Sequence, residues 1–272
     1  MSDDYIHGFA PAEQRRLTLM QGILNDEELR HLDLDGVRRI LDVGSGLGQM
    51  TRALARAAGP AATVVGVERD ERQLEEAVRQ AEGADEASRV EFRQGRAERL
   101  PLTPGERGSF DLAHCRFLLE HVTDPLAVVR EMVGAVRAGG RIVLIDDDHE
   151  LLRLWPVADY VEQVWRIYWE SYRDRGHDPL IGRRLAGLLR EAGARPTRVT
   201  SVFYGAVRGM RLFDPVVDNL ASVLGGAAER LDEEGVLARP AMEQALAELD
   251  EWRHQASATL WYSLPLAEGT VG

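Results

Sequence analysis

Five residues between positions 42 and 48 carry the strongest chemical signal in the chain: Asp42, Gly44, Ser45, Gly46 and Gly48. They follow Arg39-Ile40-Leu41, which reads as the start of a buried strand. Glycines placed there let the backbone turn sharply and let a ligand approach the main chain closely. A helix opening at Gln49 would aim its unpaired amides at that ligand. A dinucleotide fingerprint is the rival reading, but it wants glycine at position 49, where the chain has Gln49. Asp42 also sits badly against a pyrophosphate, whereas its carboxylate suits the cationic amino group of a cofactor that carries an amino acid. Glu68 stands twenty residues past Gly48, at a strand end where an acid accepts hydrogen bonds from ribose hydroxyls.

The elements that must position these groups show in the apolar periodicity. Residues 39–43, 63–67, 89–93, 110–114 and 141–145 read as strands, separated by helical stretches over 49–58, 71–82 and 125–137. Strands alternating with helices imply a parallel, doubly wound sheet. Beyond Asp146 the pattern changes. Residues 150–176, with Trp155, Tyr160, Trp165, Tyr168, Trp169 and Tyr172, read as one or two helices. Helices are also expected over 181–192, 210–230 and 240–256, and strands over 197–207 and 258–266. Residues 5–31 read as a helical N-terminal segment.

Bulk composition narrows the function classes. The chain has 272 residues, 44% hydrophobic and 29% charged, as in an ordinary soluble globular protein. Its formal net charge is -12 without a basic run, which argues against nucleic acid, whose binding depends on neutralising phosphates. All 33 basic residues are arginine. One cysteine, Cys115, allows no intramolecular disulfide. The acidic start Met1-Ser2-Asp3-Asp4 lacks the features of a signal peptide. No apolar run approaches the roughly 20 residues of a membrane span. A cytoplasmic protein with no membrane partner is expected, and its oligomeric state is open, a homodimer included.

Several stretches resemble one family. Residues 40–51 resemble motif I of class I S-adenosylmethionine-dependent methyltransferases, and Val64 to Asp70 resembles the acidic loop after their second strand. Gly95-Arg96-Ala97-Glu98-Arg99-Leu100-Pro101-Leu102 resembles the Gly-Asp-Ala-Glu-x-Leu-Pro stretch of the ubiquinone-biosynthesis-like, or methyltransferase-11-like, branch. Phe110 to Pro125 resembles that branch's fourth-strand segment, and Ala138 to Ile142 its turn into strand five. The resemblance implies an α/β fold: a Rossmann-like doubly wound sheet of seven strands, the last antiparallel, plus helical substrate-cap insertions. It divides the chain into an N-terminal helical lid segment (1–37), an S-adenosylmethionine-binding core (38–148) and a stretch that completes the sheet and carries substrate-recognition insertions (149–272).

The same resemblance implies roles. S-adenosyl-L-methionine is the expected cofactor. Asp42, with Gly44, Ser45, Gly46, Gly48 and Gln49, would hold its methionine end. Glu68 would bind the ribose, Arg69 would lie along the adenine, and Ala97 would offer its amide to an adenine nitrogen. The family usually has aspartate where this chain has Arg96. Arginine cannot accept the adenine amino group's hydrogen bond, so either Glu98 substitutes or that amino group is read less tightly. His114, Cys115 and Arg116 follow strand four, where the family lines the sulfonium end.

Methyl transfer from a sulfonium depends mainly on alignment, and a hydroxyl acceptor benefits from a general base. His149, following strand five beside the expected methyl site, is the first candidate base, and His114 the second. The alternatives are a solvated loop histidine and a satisfied strand-end histidine. His121 reads as helical packing and His177 as loop. Asp146-Asp147-Asp148 raises the question of a divalent ion. Catechol-type chemistry also wants a carboxylate after strand four, where this chain has His114, so no metal is expected. The aromatic run is either a core stripe or a cap over an acceptor pocket. Trp155, Trp169, Tyr172 and Tyr204 are candidate substrate contacts, joined by Tyr5 and Phe9 of the lid. The expected function is methylation of a small-molecule acceptor at oxygen or nitrogen, in secondary metabolism. Two alternatives stand beside it: a quinone or lipid-precursor methyltransferase, and a cofactor-binding protein that transfers no methyl group.

Overall fold

A computed structural model describes Gly22 and residues 24–272. Tyr5 and Phe9, and most of the expected N-terminal helix, lie outside the described residues; residues 24–29 are helical. The described chain forms two compact units that interleave in sequence. One comprises Asn25–Asp148, Leu180–Val202 and Leu264–Gly272; beyond Leu24, the other comprises His149–Pro179 and Phe203–Ser263.

In the first unit, β1 (Arg39–Val43) lies between β2 (Thr63–Glu68) and β4 (Phe110–Arg116), with β3 (Val90–Gln94) outside β2 and β5 (Val136–Ile145) outside β4. These five strands are parallel. β8 (Thr259–Val271) closes the order by pairing antiparallel to β5 through Leu266–Thr270, and β7 (Ala194–Val207) pairs with β8. A central parallel strand is covered on both faces, so it is rich in apolar residues; Ile40, Leu41 and Val43 are fully buried, and Asp42 is the buried exception.

Side chains alternate across a strand. Leu41, Val43, Val65, Val67, Ala113, Cys115, Ile142 and Leu144 build one core with α3 (Pro125–Ala135) and α5 (Leu185–Glu191). The opposite face of β1 and β4 therefore carries Asp42, His114 and Arg116. α1 (Gln49–Ala57) and α2 (Glu71–Ala81) follow β1 and β2. Asp70 and Asp124 cap the starts of α2 and α3 by accepting from Gln73 N at 3.0 Å and Ala127 N at 2.9 Å.

The second unit holds α4 (Asp159–Glu170), α6 (Phe213–Glu233) and α7 (Arg239–Arg253). Trp252 of α7 donates its indole N–H to Pro156 O at 2.6 Å. β6 (Arg153–Trp155), which the sequence reading took as helix, pairs antiparallel with Thr259–Trp261. The described residues thus hold eight strands where seven were expected. β5 begins at Val136, inside the expected helix, because Val136 pairs with Phe110. A register shift between Phe110 and Leu112 absorbs the extra residues. Among the described residues no helix is long and apolar enough to cross a membrane.

Candidate functional site

The loop after β1 is built on three left-handed glycines: Gly44 has φ 77°, Gly46 φ 52° and Gly48 φ 71°. Side chains rarely adopt this region. The loop is pinned from below, since Gly44 N and Ser45 N both donate to Val67 O, at 2.9 and 3.0 Å. It is also pinned from the side. Glu68 Oε2 accepts from Gly46 N at 3.0 Å, while Oε1 accepts from Arg69 N at 2.8 Å and Asp70 N at 2.9 Å. The two acids singled out in the sequence therefore flank one loop, and Glu68 is tied to it directly. Gln49 opens α1 behind Gly48.

Register decides the surroundings of Asp42. Parallel pairing sets Asp42 beside His114, and His114 Nδ1 lies 2.8 Å from Asp42 Oδ1. The second oxygen, Oδ2, accepts from Thr51 Oγ at 2.5 Å. His114 Nε2 lies 2.6 Å from Glu28 Oε1. Glu28 Oε2 accepts from Arg116 Nη1 at 2.6 Å, and Arg116 Nη2 donates to Asn25 Oδ1 at 2.7 Å. Burial alone would lower the His114 pKa, but the Glu28 charge and the hydrogen bonds to Asp42 and Glu28 outweigh it and push it up to about 9. Glu28 is held below its usual range, because Arg116 and His114 outweigh its desolvation.

These contacts revise three expectations. His114 holds its proton at neutral pH and has both ring nitrogens engaged, so it does not suit general-base work. Cys115 points into the apolar core, because strand alternation turns it away from His114, and burial pushes its thiol well above the usual range. Arg116 is committed to Glu28 and Asn25. Glu28 and Asn25 escaped the sequence reading because no motif marks them. Thr51 lay inside motif I without being singled out.

At the expected adenine side, Arg96 is exposed and donates to Glu98 at 3.3 Å. Ala97 packs against the core, and Arg69 is exposed. In the acidic triplet, Asp146 Oδ2 accepts from Leu118 N at 3.1 Å and Leu119 N at 2.7 Å, and Oδ1 accepts from Asp147 N at 3.0 Å. Burial, with the nearby Glu120 and Asp147 charges, pushes Asp146 well above the carboxylate range. Asp148 takes a fork from Arg183 at 2.6 and 2.9 Å.

In the second unit, His149 is buried rather than solvated. Trp165, Tyr168 and Tyr172 recur at spacings of three and four, which share a helical face. Their rings lie 5.2, 6.2 and 5.6 Å from the His149 ring. Trp165 Nε1 donates to His149 O at 2.8 Å, and the Tyr168 and Tyr172 hydroxyls are 2.7 Å apart. Trp165 and Tyr168 belong to this group although the sequence reading did not select them as substrate contacts. Trp169 is buried with Arg173 over its ring. Tyr204 packs edge-on against Tyr262. Trp155 is 57% exposed on β6.

Known proteins share the sequence pattern and the fold of this chain. The methyltransferase domain family covers residues 41–144. The chain is 32% identical to a demethylmenaquinone methyltransferase of Lactococcus lactis, over 58% of this chain and 57% of that protein. It is 30% identical to a ubiquinone biosynthesis O-methyltransferase of Bordetella avium, over 62% of this chain and 67% of that protein. It spans about half the length of some curated relatives, such as 47% of an uncharacterized Streptomyces fradiae transposon protein. A solved S-adenosylmethionine-dependent methyltransferase from Aquifex aeolicus shares the fold, with TM-score 0.54 and 19% identity over 72% of this chain and 94% of that one. The chain belongs to the class I S-adenosylmethionine-dependent methyltransferase family.

Proposed function

We propose that this chain transfers a methyl group from S-adenosylmethionine to a hydroxyl of a small aromatic-shaped molecule. The observation that carries the cofactor half is the loop of three left-handed glycines held between Asp42 and Glu68. The donor set suits the cofactor. Ser45 Oγ is buried in that loop without a hydrogen-bond partner among the described residues, and a buried polar atom of this kind needs one. Gly46 and Gly48 keep the loop bare of side chains. Asp42 and the loop would bind the methionine end, and Glu68 the ribose. Glu98, already paired with Arg96, would face the adenine amino group.

When bound, the cofactor supplies an electrophilic methyl on a sulfonium. The chain's own part is to orient the acceptor and manage its proton. The His149 imidazole among Trp165, Tyr168 and Tyr172 supports an acceptor that presents a hydroxyl to a base and a flat face to rings. On this reading His149 takes the hydroxyl proton as the oxygen attacks. The net acidic charge favours such an acceptor over nucleic acid. The quinone methyltransferases among the relatives support a second reading, a quinone or lipid precursor as acceptor.

Two outcomes test these assignments. Glu68→Ala should weaken S-adenosylhomocysteine binding by roughly tenfold or more in calorimetry, through the loss of charge-assisted hydrogen bonds. Unchanged affinity would remove Glu68 from the site. His149→Ala should slow labelled-methyl transfer to hydroxyl acceptors by roughly 10²–10⁴-fold while cofactor affinity holds. Full turnover in that variant ends the base role, and binding without transfer across a broad acceptor panel would favour a cofactor-binding protein.

A further inference from the structure

We infer that His114 is a positioning residue of the cofactor site, a buried clamp that holds the Asp42 carboxylate and couples it to the helical residues 24–29 through Glu28. The inference rests on the cofactor reading above.

Hydrogen-bond accounting requires the charge. A neutral imidazole has one N–H and one lone pair. Here both nitrogens face carboxylate oxygens, at 2.8 and 2.6 Å. Only the imidazolium donates to both. The groups are also sealed from water, with the His114, Glu28 and Asp42 side chains 1%, 1% and 3% exposed. Buried charges of this kind persist when each is paired and hydrogen-bonded. The charged groups facing His114 are Asp42 from β1 and Glu28 from the segment before it, with Arg116 of β4 closing the far side of Glu28. Charges therefore alternate along Asp42, His114, Glu28 and Arg116. Thr51 of α1 donates to Asp42 at one side of the line, and Arg116 donates to Asn25 at the other.

The consequence is directional. Asp42 has one oxygen on Thr51 and one on His114, so its carboxylate plane is set before any ligand arrives. Neither His114 nor Glu28 lies in the glycine loop, yet both determine how Asp42 meets a cationic amino group. Glu28 also belongs to the helical residues 24–29, which precede β1 in the chain. Displacing that stretch would leave His114 with one carboxylate and loosen Asp42.

The test uses the full chain and S-adenosylhomocysteine as probe. Imidazole NMR should show His114 as the imidazolium at neutral pH, a signal absent from His114→Gln. In Glu28→Gln, which keeps the volume and removes the charge, that ionisation should move down toward an ordinary histidine. Calorimetry should then show affinity weakened by about tenfold, the equivalent of one charge-assisted hydrogen bond. A merely structural role would move the His114 ionisation but leave the affinity of a folded Glu28→Gln unchanged. A neutral His114 in the wild type overturns the clamp, even if the variants fail to fold. Unchanged affinity in a folded Glu28→Gln overturns the coupling. Failure of the wild type to bind the probe would overturn the cofactor reading and the positioning role with it, leaving the charge itself to be judged by NMR.

Discussion

Gly48→Ala is expected to destabilise the chain by roughly 2–4 kcal/mol and to abolish measurable S-adenosylhomocysteine binding. Two costs combine. Gly48 has φ 71°, and a Cβ in the left-handed region costs about 1–2 kcal/mol. The added Cβ would also lie 2.5 and 2.6 Å from Phe92 ring atoms and 3.0 Å from Ala77 Cβ. Either the half-buried Phe92 ring turns aside or the loop moves, and the loop is the proposed binding surface. Gly44 offers a contrast, because its added Cβ meets the flexible Leu118 side chain at 3.1–3.3 Å. Urea denaturation would measure the loss. In a Phe92→Ala background the same substitution should cost only the backbone part, about 1–2 kcal/mol. Equal costs in the two backgrounds would rule out the clash.

Stability should also fall on the order of 3 kcal/mol between pH 6.5 and about 9, as His114 titrates. Below pH 6.5 the folded and unfolded chains both hold the proton, and the full stabilisation is present. Between 6.5 and about 9 the unfolded chain releases it while the folded chain keeps it, so each rise in pH favours unfolding. Above the folded value the contribution is gone. The absence of lysine keeps this window clear of amine side chains, and the Cys115 thiol titrates well above it. Glu28 works in the opposite direction at the acid end, where its stabilisation is lost as pH falls through its depressed value. Urea midpoints across the window should slope downward in the wild type and less steeply in His114→Gln, where the raised Asp146 carboxyl still contributes. A flat wild-type profile would contradict the charged clamp.

The cofactor loop and the alternating core were legible because they rest on local rules. A strand ending in Asp42 and three glycines, with an acid twenty residues on, reads the same before and after folding. The seven expected strands are present. The eighth, Arg153–Trp155, escaped because three residues carry too little periodicity, and its pairing with Thr259–Trp261 is a tertiary event. β8 likewise ran on to Val271, since antiparallel pairing with β5 carries it through a polar stretch with no strand pattern of its own.

The roles of the polar residues divide in the same way. Sequence alone determined the family, the glycine loop and its two flanking acids, because a βα turn of this kind is specified by contiguous residues. The facts left to tertiary structure are that His114 is buried between two carboxylates, that Cys115 is core, and that His149 sits among aromatic rings. Each depends on strand register or on partners far along the chain, such as Glu28, 86 residues before His114. Burial and pairing set a side chain's charge state, and both arise only when distant segments meet.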